Sequence, residues 1–398
     1  DRFREYLGKF NGQKDTPGAH YGLGTALLEM SPTDYKAAAD ALRQAAGANF
    51  PERPFAMYYL GVAQRGLGHA STALAKAKPP EAPQHLNQAK AHYQEAQQSF
   101  AQATGLFAER VKAAPAPPAP PAGQPAPPPS PDREWLARCQ LDQAEMLLRL
   151  EKYKEAQVLA STFLGDPAQA ASQYRPLGLY YEGYANFAMR DFVATGKALG
   201  QLTPFAQEFG VHARYLLGRC HHLAGERPEA ANMYKAVLAA QEELKKKAAE
   251  ALKNPAALQP LQKVLYEQIV QGPPPDYIPR SHFYLALLQA EGGQFAEALA
   301  AFTAVIQQNP NTPLVAEAQL RQGYCHLQTR NFAEAVKCLQ PLAGHPQLGD
   351  QATWWMGRAI ASGADPNNAQ AYAQALAQAC DHLRRAALGL LFARQSPV

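Results

Sequence analysis

The stretch Ala286-Leu-Leu-Gln-Ala-Glu-Gly-Gly-Gln-Phe295-Ala-Glu-Ala298-Leu-Ala-Ala-Phe302 decides how this chain is read, because it returns. Starting 37 residues further on, Gly323-Tyr-Cys-His-Leu-Gln-Thr-Arg-Asn-Phe332-Ala-Glu-Ala335-Val-Lys-Cys-Leu339 repeats it position for position. A small residue stands inside one apolar run, an aromatic follows nine residues later, an Ala three after that, and a bulky apolar group four further on. Apolar spacing of three and four is that of a helix face. The turn residues Glu291-Gly292-Gly293-Gln294 and Thr329-Arg330-Asn331 separate two such faces, as Gly and Asn are suited to do. Each copy therefore predicts a helix, a tight turn and a second helix. The segment Asn309-Pro310-Asn311-Thr312-Pro313 closes one pair and opens the next, since Pro fits helix starts and not interiors.

Working outward, the phrase recurs in looser form. Gly183 with Phe192 keeps its first half, with Thr195 in the Ala position. Gly218 with Ala230, Tyr234 and Val237 keeps its second half, and Tyr153, Ala156 and Phe163, opened near Ala144, make another copy. Gly24 leads to Tyr35, Ala38 and Leu42. Leu60-Gly61 leads, after a long insertion, to Tyr93, Ala96 and Phe100, and Met356-Gly357 resumes at Tyr372 and Ala375. That makes about eight units near the period of helix–turn–helix repeats. The small residue is expected where a second helix approaches closely, with the later Ala as the opposing contact. The bulky group after it (Tyr234, Phe302 or Leu339) is expected to plug the space between adjacent units.

These copies resemble the tetratricopeptide repeat family, most clearly over residues 279–346 and more loosely over 135–240. The phrase from Phe295 to Phe302, followed by Pro310, looks most like bacterial cell-envelope members of that family. The resemblance implies an all-α solenoid, a right-handed superhelix of about eight helical hairpins, acting as a non-catalytic scaffold for protein or peptide segments, alone or within a multiprotein assembly. The alternative from another class is the superhelical part of a larger enzyme or envelope complex whose catalytic domain lies outside these residues. Family members that grip a chaperone's carboxyl terminus place Lys at the fifth position of a unit and Asn at the ninth. Tyr, Phe or Trp with Tyr or Arg stand there in this chain, so that clamp is expected to be absent.

Composition agrees with a folded repeat array. Of 398 residues 47% are hydrophobic and 18% charged, which excludes wholesale disorder. A net charge of +4 gives no argument for nucleic acid or an anionic membrane as partner. Residues Asp1 to His20 contain no apolar core of a signal peptide, and Ala386 to Ala393 is too short to cross a bilayer. The chain does not start with Met, which leaves a processed chain or a piece of a longer one as readings, and the compartment open between cytoplasm and periplasm. Five scattered cysteines do not suggest a disulfide framework.

Two segments interrupt the array. Residues 113–131 hold ten prolines in nineteen positions, a composition that cannot be helix and reads as a stiff spacer. Residues 239–272 extend a helix past the repeat length, with Glu-then-Lys spacing suited to a solvated face, and open another at Pro255. The expected organisation is thus 1–112 as hairpins with an insertion, 113–132 as linker, 133–240 as hairpins, 241–272 as a helical insertion and 273–398 as hairpins.

No catalytic residue, metal or cofactor is predicted. Cys220-His221-His222, echoed by Cys325-His326 and by Cys380 with His382, is a poor metal site, because adjacent helical residues point about 100° apart. No phosphate-cradling glycine loop, nucleophile elbow or His-Glu-x-x-His string occurs. The binding surface expected is a groove lined by the first helices. Counting the small residue as the eighth position, the fifth falls on Tyr58, Tyr180, Tyr215, Phe283 and Trp354, with Tyr21 in the first copy. The ninth falls on Tyr184, Arg219, Tyr324 and Arg358. Positions four apart share a helical face, so stacking by the aromatics and carboxylate or backbone pairing by the arginines is predicted there. The competing expectation is that fifth-position aromatics pack against the neighbouring unit. Trp354 and Trp355 divide the same way: one in the groove and one packing, or both capping the end.

Overall fold

The computed structural model describes residues 1–10, 12–114, 128–310 and 312–395, so most of the Pro-rich run and Asn311 lie outside the described residues. Within them the chain is all helix, with no strand. It divides into two compact units, Asp1–Ala213 and Arg214–Val398.

In the N-terminal unit a short helix α1 (Arg2–Lys9) precedes four antiparallel hairpins. These are α2 (Thr16–Glu29) with α3 (Tyr35–Gly47), α4 (Arg53–Ala77) with α5 (Ala82–Ala113), α6 (Pro131–Arg149) with α7 (Tyr153–Gly165), and α8 (Arg175–Ala188) with α9 (Phe192–Gly200). The unit closes in the first residues of α10 (Gly210–Leu223). The C-terminal unit takes up the rest of α10 and pairs it with α11 (Arg227–Ala251). An extra helix α12 (Pro260–Gln271) lies on α11. Then come α13 (Tyr277–Glu291) with α14 (Phe295–Gln308), α15 (Leu314–Gln328) with α16 (Phe332–Leu339), and α17 (Gly349–Gly363) with α18 (Ala369–Gln395). Eight hairpins result, as the repeat count predicts. The long insertion of the second copy is helical: it lengthens α4 to 25 residues and α5 to 32. The tail of α11 and α12 lie between the α10–α11 hairpin and the α13–α14 hairpin.

The small residue does sit where two helices meet, but its partner differs from the expected one. A Cβ on Gly218 would come within 2.9 Å of the Tyr234 ring, one on Gly61 within 2.7 Å of Phe100, and ones on Gly183 and Gly323 would run into Leu199 and Leu339. In the regular copies the residue filling the gap is sixteen positions after the glycine, not the Ala twelve after it. The bulky group therefore packs inside its own hairpin. Those partners (Phe100, Leu199, Tyr234, Leu339) are fully buried, each side chain worth about 1.5–3 kcal/mol of apolar transfer.

The turns show why the hairpins are so regular. Five first helices end the same way, with the amide of Lys152, Asp191, Glu226, Gln294 or Asn331 donating to the carbonyl five residues earlier. The residue before each of those amides is left-handed: Glu151, Arg190, Gly225, Gly293 and Arg330, at φ of 60 to 80°. This is a Schellman closure, which glycine adopts freely. Two Arg and one Glu accept it at a cost of about 1–2 kcal/mol each, because the closure satisfies carbonyls that helix ends leave open.

Candidate functional site

On an ideal helix each residue turns the chain by about 100°, so relative to the small residue the fifth position lies about 60° away. The second, sixth, ninth and thirteenth gather at about 100–160°. That arithmetic divides the expected groove residues. Tyr58, Tyr215 and Phe283, all fifth positions, are buried at 0%, 7% and 1% exposure and offer no surface to a partner; the groove role expected for them is corrected to core packing. The fifth position leans toward the hairpin interior, so it is drawn into the core.

In the N-terminal unit the structure does bring two expected residues together. Tyr180 and Tyr184 of α8 face Glu145, Leu148 and Arg149 of α6 and His212 of α10 across a cleft of about 320 Å³. Tyr180 stacks on Phe209 at 4.7 Å, and its hydroxyl lies 2.6 Å from Nδ1 of His212. Burial pushes the imidazole of His212 down to about 4, so it is neutral at pH 7. A side-chain NMR titration should find this ring changing charge near pH 4; a midpoint near 6.5 would place it in water and contradict the packing.

Glu145 and Arg149, which line this cleft, belong to a chain of paired charges. Arg65 of α4 donates to Glu145 at 2.8 Å and to Asp142 at 3.2 Å, and Arg149 donates to Glu145 at 2.6 Å and 2.8 Å. The Tyr58 hydroxyl donates to Asp142 at 2.8 Å. Burial raises the Asp142 carboxyl above its ordinary value even against Arg65. Burial also works upward on Glu145, but there the two arginines prevail and hold the carboxyl below the usual range. Glu145 is therefore a fixed anion already neutralised by its partners.

The C-terminal unit holds a cleft of the same construction, about 430 Å³, between α13 and α15. Positions nine, twelve and thirteen of one first helix line each cleft: Glu145, Leu148 and Arg149 in one, Leu287, Ala290 and Glu291 in the other. Positions six and nine of the next first helix complete it, as Tyr181 and Tyr184 or as Arg321 and Tyr324. Tyr324 is thus on a cleft wall, joined by Trp355, while Trp354 is 42% exposed outside it. Arg219 lies 3.7 Å above the Tyr284 ring, and Arg358, exposed, is 5.2 Å from Trp355. The sixth and thirteenth positions were missed by a count confined to the fifth and ninth. The signal that finds them is the shared face of positions two, six, nine and thirteen.

Among the described residues no group of three or more His, Cys, Asp or Glu converges as a metal site, and no helix is long and apolar enough to cross a membrane. Cys220 is buried, while His221 turns to Glu226 at 2.6 Å and His222 to Glu291 at 3.4 Å, so the three adjacent side chains diverge.

Stacked helical hairpins with side-chain-lined clefts define a helical repeat protein. Residues 284–347, which run from within α13 to beyond α16, match the tetratricopeptide repeat family model, so that segment carries tetratricopeptide repeats. Two solved structures align at low similarity. One is the crystal structure of the P58(IPK) TPR domain, 13% identical over 96% of this chain and 100% of that one, with a TM-score of 0.26. The other is yeast Tom70, 12% identical over 98% and 91%, with a TM-score of 0.32. Among curated proteins none matches the chain.

Proposed function

We propose that the protein is a non-catalytic scaffold that holds segments of partner proteins, and that the cleft between α6 and α8 is one of its binding places. One observation carries this reading. Three tyrosines, His212 and an Arg–Glu pair line an open hollow of about 320 Å³. Aromatic and Arg side chains supply most binding energy at protein interfaces, and a hollow of this size seats one or two side chains of an extended segment. Tyr184 would stack on the segment. Arg149, already turned to Glu145, would donate its remaining N–H groups to segment carbonyls.

A photo-crosslinking amino acid at position 184 of the full chain tests this. The expected result is covalent capture of one recurring segment, mapped by mass spectrometry and reduced at least tenfold by Tyr180→Ser. Capture that is indiscriminate, or indifferent to Tyr180→Ser, would refute the cleft as a binding place.

A further inference from the structure

The cleft between α13 and α15 carries one acidic and one basic residue. Its acidic residue, Glu291, is engaged from outside by Arg227 at 3.4 Å and by His222 at 3.4 Å. Its basic residue, Arg321, is ion-paired only along its own helix, with Glu317, and keeps 37% of its side chain exposed. Nε of Arg321 is buried with no hydrogen-bond partner among the described residues, and its Nη2 stands 3.6 Å from Glu317, beyond hydrogen-bonding length. A buried donor without an acceptor is costly to the fold, and a small shift of the side chain toward an incoming acceptor would relieve that cost. Around the guanidinium stand Phe295, Tyr324 and Trp355, with Tyr324 and Trp355 edge to face at 4.9 Å.

We propose that this cleft takes the carboxylate side chain of an Asp or Glu in an extended protein segment, with an adjacent apolar residue against Tyr324 and Trp355. Charge complementarity selects the occupant. The guanidinium fork matches a carboxylate in two parallel hydrogen bonds. A phosphate dianion fits less well, because Glu291 shares the cleft and a single guanidinium cannot offset two added charges. The volume of about 430 Å³ holds a carboxylate side chain and one apolar neighbour. The inference does not rest on the cleft of the N-terminal unit.

The experiment is a selection of random peptides displayed on phage against the full chain. Selected sequences are then synthesised and measured by fluorescence polarisation. Peptides with Asp or Glu beside an apolar residue are expected. Their affinity should fall at least tenfold on Arg321→Gln, and equally when the peptide's own acid is changed to its amide, a comparison that needs no variant of the protein. Arg321→Lys should recover part of it, since it restores charge without the fork. Amidating the peptide's C-terminus should change nothing; if that alone removes binding, the carboxylate recognised is terminal and the side-chain assignment is overturned. The proposal also fails if no acidic consensus emerges, or if acidic peptides bind the Arg321→Gln protein undiminished. Val193→Ser, at an exposed position of α9 outside both clefts, should leave this binding unchanged.

Discussion

Replacing Arg65 by Met is expected to cost the N-terminal unit about 3–5 kcal/mol, the usual result of removing one partner from a buried ionic cluster. The reason lies in what remains. Arg65 is the cation shared by Asp142 and Glu145, and its side chain is 21% exposed against 11% and 15% for the two acids. Without it Asp142 keeps the Tyr58 hydroxyl and Glu145 keeps Arg149, but two carboxylates are left close together with too little positive charge. Both carboxyl groups then titrate higher in the folded chain than in the unfolded one. The folded state binds more protons, so stability falls as pH rises through the carboxylate range and recovers as pH drops. The deficit should accordingly be largest at about pH 7 and shrink toward about pH 4.5. Urea titration with hydrogen exchange read at the α6 amides measures both effects. A loss below about 1 kcal/mol, the level of an exposed ion pair, or one independent of pH would show that the cluster is no more than a surface feature.

That cluster marks the limit of what the residue order reveals. Hairpins were legible because their contacts are local: Gly323 and Leu339, or Gly218 and Tyr234, are one turn of chain apart and recur on a fixed count. The pairing of α4 with α6 was not. Tyr58 and Asp142 are 84 positions apart, separated by the 32 residues of α5 and the Pro-rich run. Phe55, Phe107 and Trp135 meet there too, with Phe107 and Trp135 stacked at 5.8 Å, yet no periodicity announces them. The site was legible by half for a related reason. Spacing says which residues share a helical face, but the fifth position sits near the boundary between two faces, and only the neighbouring helix decides to which side it falls. Tyr180 stayed half-exposed and Tyr58 became fully buried from the same place in the count. Glu151, Arg190 and Arg330 taught a similar lesson, since turn chemistry written in glycine elsewhere is carried there by residues that the hydrogen bonds of the closure hold in place.

The strongest test of the repeat physics is an exchange of volumes between Gly323 and Leu339. A Cβ at position 323 would collide with the Leu339 side chain, which has no exposure and is enclosed by Leu320 and Met356. Gly323→Leu should therefore destabilise the C-terminal unit by about 3 kcal/mol, at the upper end of overpacking, because the obstacle is a branched group in a filled core. Leu339→Ala alone should cost about 2–5 kcal/mol through the cavity it opens. Together the two changes move a leucine from α16 to α15 across the same gap and keep the total volume. The double variant should then lose about 2–3 kcal/mol less than the sum of the two single losses, the upper range of coupling for residues in direct contact. Thermal unfolding of the three variants reads this, each kcal/mol moving the midpoint by about 2–4 °C in a unit of this size. If the two losses simply add, the small residue and the bulky one do not share a space. The spacing of sixteen from which the hairpin packing is argued would then have no physical basis in this chain.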